Sequence, residues 1–262
     1  MKLTFLGTGA VDWDRAEASK GEERGIARRC TSVLVNDDLL VDPNPDVPEA
    51  LKTFGCDMRK IRYILISHSH SDHYCPETLI YLADDHRITV YGDPGFERPW
   101  ETEGNARFVP VETGIDFKAG EYTVRAVKST HSPENPGEQA LHYAIDFGKK
   151  SIFYGCDGAW FISESFSQLA GRKYLCVILD ATFGDDSQLY RVSGDGIFFC
   201  HNNPTLLRLI RSAFLQCGFA DRDTVFVADH LAKTYFPSME KARLVFEPMG
   251  MTPAYDGMIL EV

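Results

Sequence analysis

The stretch Ile61-Arg62-Tyr63-Ile64-Leu65-Ile66-Ser67-His68-Ser69-His70-Ser71-Asp72-His73 decides how this chain is read. Its first half is a short apolar run, the pattern of a buried strand. Its second half packs four metal-type ligands, His68, His70, Asp72 and His73, into six residues. Neutral imidazoles and a carboxylate suit a borderline ion such as zinc. On a strand running out into a loop, side chains two apart point the same way. His68 and His70 can therefore grip one ion. Asp72 and His73 lie past the strand end, where the chain turns, and can face a second. Two ions that share a water lower its pKa, so that hydroxide exists near neutral pH.

Such a pair of ions needs more ligands, and eight histidines are few enough to search. His131 follows the strand pattern 124–128, Asp157 follows 151–154, and His230 follows 224–226. Each sits where a strand gives way to a loop, as the hexapeptide does, and rigid strand ends converging on one rim make a preorganised site. A single His-rich turn is equally well a solvated loop. Four strand-end ligand groups in this order make the metal site the better reading. His86 and His142 lack such a setting and are assigned to the surface and to strand packing.

Composition sets the outer limits. The 262 residues carry a net charge of −11 and are 44% hydrophobic, enough for a sizeable core. The acidity argues against stable nucleic-acid binding, which needs basic surface. No stretch approaches the roughly 18 apolar residues of a membrane span. The opening residues read as a strand rather than a signal peptide, so a cytoplasmic location is expected. Seven cysteines are scattered without a C-x-x-C pair, which fits a reducing compartment. Cys75, Cys156 and Cys200 lie close enough in sequence to candidate ligands for a thiolate to reach the site.

Period-2 patterns predict strands over 3–6, 32–35, 39–41, 63–67, 88–91, 106–110, 122–128, 142–147, 151–154, 175–180, 224–228 and 258–262. Asn36-Asp37-Asp38 and Gly148-Lys149-Lys150 read as hairpin turns. Helices are predicted over 76–85, 162–169, 203–217 and 238–247, the third with Asn203-Pro204 as its cap and first residue. Strand meanders followed by helices suggest face-to-face sheets with helices outside. The polar stretch 11–30 reads as a long loop, and Arg24, Arg28, Arg29 or Trp13 from it is a candidate contact for a substrate phosphate or base.

The order H-x-H-x-D-H, His, Asp, His resembles the metallo-β-lactamase superfamily. Phe5-Leu6-Gly7-Thr8-Gly9 and Leu40-Val41-Asp42 extend the likeness over nearly the whole chain. The resemblance implies an α+β fold, a four-layer αββα sandwich of two facing mixed sheets, as a single hydrolase domain over 1–262. It also implies a dinuclear site. His68, His70 and His131 would bind one divalent ion, Asp72, His73 and His230 a second, and Asp157 would bridge them. Retention of His70, where iron and flavin members tend to carry a carboxylate, suits zinc and hydrolysis, with manganese or iron as the other metals to consider. Asp42 matches an aspartate behind the ligands, where it would orient an imidazole.

Asp180-Ala181-Thr182-Phe183 followed by His201-Asn202-Asn203 resembles the paired loops of ribonuclease Z and related phosphodiesterases. There Asp180 would accept a hydrogen bond from His201, which would stabilise a phosphorane or protonate the leaving oxygen. Ribonuclease Z usually has Glu at the Asp180 position and a basic arm that grips tRNA, and neither is present. The ending Ala254-Tyr255-Asp256-Gly257-Met258 is similar to that of small phosphodiesterases that open a cyclic phosphate. The expected function is thus hydrolysis of a small cyclic or terminal phosphodiester by a metal-bridging hydroxide, with Asp72, Asp180 and His201 catalytic. The alternatives are an ester, lactone or thioester hydrolase and, further off, a non-enzymatic metal-binding protein. The expected partner is the small-molecule substrate, with a homodimer in view.

Overall fold

The structure is a computed structural model. It describes every residue except 15–26, 99, 101–104, 134, 186–190, 194, 195 and 199. Two compact units emerge, and each is built on its own sheet. The first comprises Met1–Glu112, Pro133–Gln139 and Tyr255–Val262, the second Thr113–Ser132 and Ala140–Ala254.

In the first unit, β1 (Lys2–Gly7), β2 (Ser32–Val35), β3 (Leu39–Val41), β4 (Tyr63–Leu65), β5 (Ile88–Gly92) and β6 (Ala106–Pro110) lie side by side in chain order, and the C-terminal strand Ile259–Glu261 pairs with β1. β1 to β3 form an antiparallel meander, and β3 to β6 run parallel. The predicted β2–β3 hairpin is present. Asn36 and Asp37 take φ of 48° and 69°, the left-handed turn conformation that Asn and Asp tolerate best. Helices α1 (Val47–Thr53) and α2 (Pro76–Leu82) bury Ala50, Leu51, Leu79 and Leu82 in a core with Leu40, Ile64 and Val90. Both helices start with Pro in the first turn, where the missing N–H costs nothing.

The second unit holds β7 (Asp116–Ala119), β8 (Tyr122–Lys128), β9 (Leu141–Phe147), β10 (Lys150–Gly155) and β11 (Tyr174–Asp180). Its later elements are a short hairpin of β12 (Arg191–Ser193) and β13 (Gly196–Phe198), then β14 (Val225–Asp229) and β15 (Thr252–Pro253). Its main sheet runs β15-β14-β11-β10-β9-β8-β7. β10, β11, β14 and β15 are parallel, and the rest is antiparallel meander. Helices α3 (Ser163–Gln168), α4 (Pro204–Gln216) and α5 (Met239–Phe246) complete it. In α4 the Asn203 side chain accepts from Leu206 N as predicted, and Leu207, Ile210 and Phe214 bury one face at helical spacing. Phe214 stands at the centre of an aromatic group with Phe153, Phe161, Phe166, Tyr174, Phe219 and Phe226.

The predicted strands 32–35, 39–41, 106–110 and 122–128 match the observed bounds, and the others differ by a few residues at their ends. Helix α1, β7, β15 and the β12–β13 hairpin were not expected. α1 spans only seven residues, and most of β7 faces solvent, so neither leaves a strong periodic signal. Among the described residues no helix is long and apolar enough to cross a membrane.

Candidate active site

Every candidate ligand lies past the end of a strand, and the sheets explain why. In the first unit Asp42 follows β3 and the hexapeptide follows β4, its parallel neighbour. In the second unit Asp157 follows β10, Asp180 ends β11 opposite Asp229 of β14, and His230 comes next. The carboxyl ends of parallel strands form a common edge, where loops are free to carry chemistry.

In the first unit, Asp42 is fully buried and accepts from Ser67 N at 2.8 Å and from His73 Nδ1 at 2.9 Å. One carboxylate thus holds both the hexapeptide backbone and its last imidazole. Because the carboxylate only accepts, the His73 proton sits on Nδ1 and the Nε2 lone pair faces Asp72 at 3.8 Å. His68 Nε2 and His70 Nδ1 approach to 2.9 Å, with ring centroids 4.6 Å apart. Two nitrogens on one tetrahedral zinc would lie about 3.3 Å apart, close to this separation. Ser67 Oγ holds His68 Nδ1 at 2.9 Å. Glu138, whose carboxyl burial pushes above its ordinary range, lies against Ser69.

The second unit repeats this logic with more partners. His131 Nδ1 donates to the Cys200 carbonyl at 3.0 Å, so its Nε2 lone pair faces Asp157 at 3.7 Å. Thr182 Oγ1 donates to His230 O at 3.0 Å and accepts from His230 Nδ1 at 2.7 Å. His230 Nε2 therefore turns a lone pair toward Asp157 Oδ1 at 3.1 Å. A lone pair held against a carboxylate in a buried site is repulsive unless a cation lies between them, and this is the polarity expected of metal ligands. Asp157, Asp180, His201 and His230 each bring one ligand atom into a group spanning no more than 4.8 Å.

Asp180 is fully buried and accepts from the backbone N–H of Gly158, Thr182 and Asn202. Its Oδ2 lies 2.6 Å from His201 Nδ1. His201 also stacks on His230, at 5.6 Å and 11°. The expected pairing of Asp180 with His201 is therefore present, and Asp180 also caps the turns around it.

Two residues of the site have left-handed backbones, Asp42 at φ 61° and His230 at φ 55°. Such conformations in residues other than Gly persist where the surroundings over-determine them.

Some expectations need correction. Arg28 and Trp13 are buried, at 1% and 5% exposure, and their side chains are engaged within the protein. The Arg28 guanidinium donates to Thr8 Oγ1 and lies over the Trp13 ring. Arg29 is also buried, with its N–H donated to Asp256 and its guanidinium facing Asp256 and Glu49. Arg24 lies outside the described residues. Cys200 meets His131 through its carbonyl, and the Cys75 thiol turns to Glu77. No disulfide joins any of the seven cysteines. His142 does pack in its strand against Phe153 and Phe161, but it also donates from Nε2 to the Asp157 carbonyl at 2.9 Å. Ser129 Oγ donates to the same carbonyl. His142, Ser129 and Thr182 are thus supporting residues that pattern reading missed. Nothing in local sequence says which backbone a strand histidine will meet.

A family model described as a beta-lactamase superfamily domain matches residues 38–209. The chain belongs to this superfamily. A UPF0173 protein of Pyrococcus abyssi is 31% identical over 140 residues, which cover 53% of this chain and 60% of that protein. A ribonuclease Z of Lactobacillus helveticus is 26% identical over 137 residues, covering 50% of this chain and 39% of that protein. The chain therefore spans 60% or less of the length of these two relatives. Among solved structures, the metallo-beta-lactamase fold protein YhfI from Bacillus subtilis has a TM-score of 0.71 at 17% identity, covering 100% of this chain and 99% of its own. A diphosphatase from the PhnP family has a TM-score of 0.71 at 20% identity, covering 100% of this chain and 97% of its own. These likenesses show the metallo-β-lactamase fold. The superfamily is one of metal-dependent hydrolases, and the His and Asp clusters here suit that chemistry.

Proposed function

We propose that this protein is a phosphodiesterase, acting as a single hydrolase domain on a small cyclic or terminal phosphodiester. The observation that carries this reading is the buried Asp180–His201 pair, 2.6 Å apart and grouped with Asp157 and His230. A metal-ligand rim alone serves many hydrolytic reactions. A histidine fixed by a buried carboxylate beside that rim adds a proton donor for a leaving oxygen. The ribonuclease Z and PhnP-family likenesses lean the same way.

His68, His70 and His131 would hold one divalent ion and Asp72, His73 and His230 another, with Asp157 between them; the grouping follows the order of the motifs. The donor set of imidazoles and carboxylates suits zinc first. When bound, such ions activate water near neutral pH and offset charge developing on phosphorus.

The chain's own residues do the rest. Asp42 and Thr182 hold His73 and His230 with their Nε2 atoms turned toward carboxylates. Asp180 engages Nδ1 of His201, which leaves Nε2 to hand a proton to the leaving oxygen or to bond a phosphorane oxygen. Asp72 holds a proton at its carboxylate as the attacking water loses it.

Metal analysis paired with assays on a bis-aryl phosphodiester, a lactone and a β-lactam tests the reading. Phosphodiester turnover that vanishes on chelation and returns with zinc is the expected result. Turnover of the lactone alone would sink it and favour the ester and lactone hydrolase.

A further inference from the structure

His201 belongs to a longer run of rings. Its face stacks on His230, and Phe183 meets it at 5.2 Å and 69°, edge to face. Tyr235 meets Phe183 in turn at 6.0 Å and 67°. Phe183 and Tyr235 are both only half-buried, and Tyr235 also packs against the core of its unit.

Neither ring owes its place to a loose loop. Phe183 follows Asp180 by three residues, and its N–H donates to the Asn202 carbonyl at 3.0 Å. That bond ties Phe183 directly to the segment that carries His201. Tyr235 sits in the turn after His230, closed by Tyr235 N and Phe236 N donating to the Ala232 carbonyl at 3.3 and 2.8 Å. Phe236 is buried and packs against Phe246, which anchors the turn. Two aromatic faces are thus held partly open on rigid anchors, one of them in contact with the imidazole that serves the leaving oxygen.

With His201 Nδ1 committed to Asp180, any oxygen that takes a proton from this ring lies on its other side. Of the rings that contact His201, Phe183 is the apolar one, and so the one suited to meet the group attached to that oxygen. We propose that Phe183 and Tyr235 form an aromatic subsite that stacks a planar ring carried on the leaving oxygen. The inference rests on the phosphodiesterase reading and names the substrate class within it: diesters with an aryl or nucleobase-bearing leaving group rather than a small alkyl one. Stacking of a base or aryl ring on an aromatic side chain sets the scale of preference at roughly 5- to 100-fold.

The test is calorimetric titration of the full, zinc-loaded chain with phenyl methylphosphonate and methyl methylphosphonate. Both are monoanions like a phosphodiester, and neither needs turnover to be read. The phenyl compound is expected to bind about tenfold more tightly. Phe183→Leu and Tyr235→Leu, which keep apolar bulk, erase that preference, and Tyr235→Phe preserves it. Equal binding of the two compounds to the unaltered protein overturns the subsite, as does a preference that survives both leucine variants. Bis-aryl turnover without a phenyl preference removes the subsite alone. Failure of both phosphonates to bind, with no phosphodiester turnover, removes the phosphodiesterase reading with it.

Discussion

In the unit that begins at Met1, four ligand-type side chains occupy six consecutive positions, and a buried carboxylate, Asp42, holds the last of them and the backbone just before the first. In the other unit, His131, Asp157, Asp180, His201 and His230 come from five separate segments and lean on one another and on Thr182, Ser129 and His142. The contiguous set is positioned largely by its own chain. The dispersed set depends on the parallel register that puts Asp180 opposite Asp229 and on loops pinned to backbone carbonyls. Contiguity makes a site easy to recognise, whereas dispersion lets one carboxylate, Asp180, receive three backbone N–H groups and an imidazole at once.

That contrast can be broken by mutation. The largest effect is expected from His70→Ala, which removes a proposed ligand outright. Turnover should fall to background and bound zinc, measured by elemental analysis, should drop, while the circular dichroism spectrum stays unchanged. Unaltered metal content would remove His70 from the ligand set. His201→Ala comes next: phosphodiester turnover should fall roughly 10²–10⁴-fold, the usual worth of a general acid, with metal content retained. An equal loss of any lactone turnover would count against a proton-donor role specific to phosphodiesters.

Asp42→Asn probes the contiguous set through its support. It keeps shape but lets an amide face His73, and metal affinity should weaken about 10- to 100-fold. A competition titration showing normal affinity would mean that the hexapeptide holds its shape unaided.

The smallest effect concerns Asp256, which accepts from Thr8 Oγ1 and Arg29 N. Burial pushes its carboxyl up to about 6 despite the nearby arginines. A folded-state pKa raised above the unfolded value near 3.9 means that its neutral form favours folding. That contribution is complete below pH about 4 and is lost as pH rises through about 6. Tm should therefore decline by several degrees across this window, against whatever slope the other groups impose, and Asp256→Asn should flatten the decline. An unchanged slope in the variant would show that Asp256 ionises freely.

Much of the candidate site was legible because ligand chemistry is local. His68, His70, Asp72 and His73 announce themselves by spacing, and strand-end positions picked out His131, Asp157 and His230. The geometry around them was not legible. His142 reads as strand packing and is that, yet its Nε2 also meets the Asp157 carbonyl, because β9 pairs antiparallel with β10. Arg28 and Arg29 read as a charged loop and are instead buried against Thr8 and Asp256, residues far away in sequence.

What the amino-acid sequence determined by itself is the class of chemistry, the strand pattern and the identity of the ligand-type residues. These depend on side-chain type and on periodicities of two or three to four residues. Tertiary structure alone decided that Nδ1 of His131, His73 and His230 is the nitrogen held by a supporting group, and that Phe183 lies against His201. Those facts depend on which strands pair and in what register, and backbone partners distant in sequence leave no trace in the order of residues.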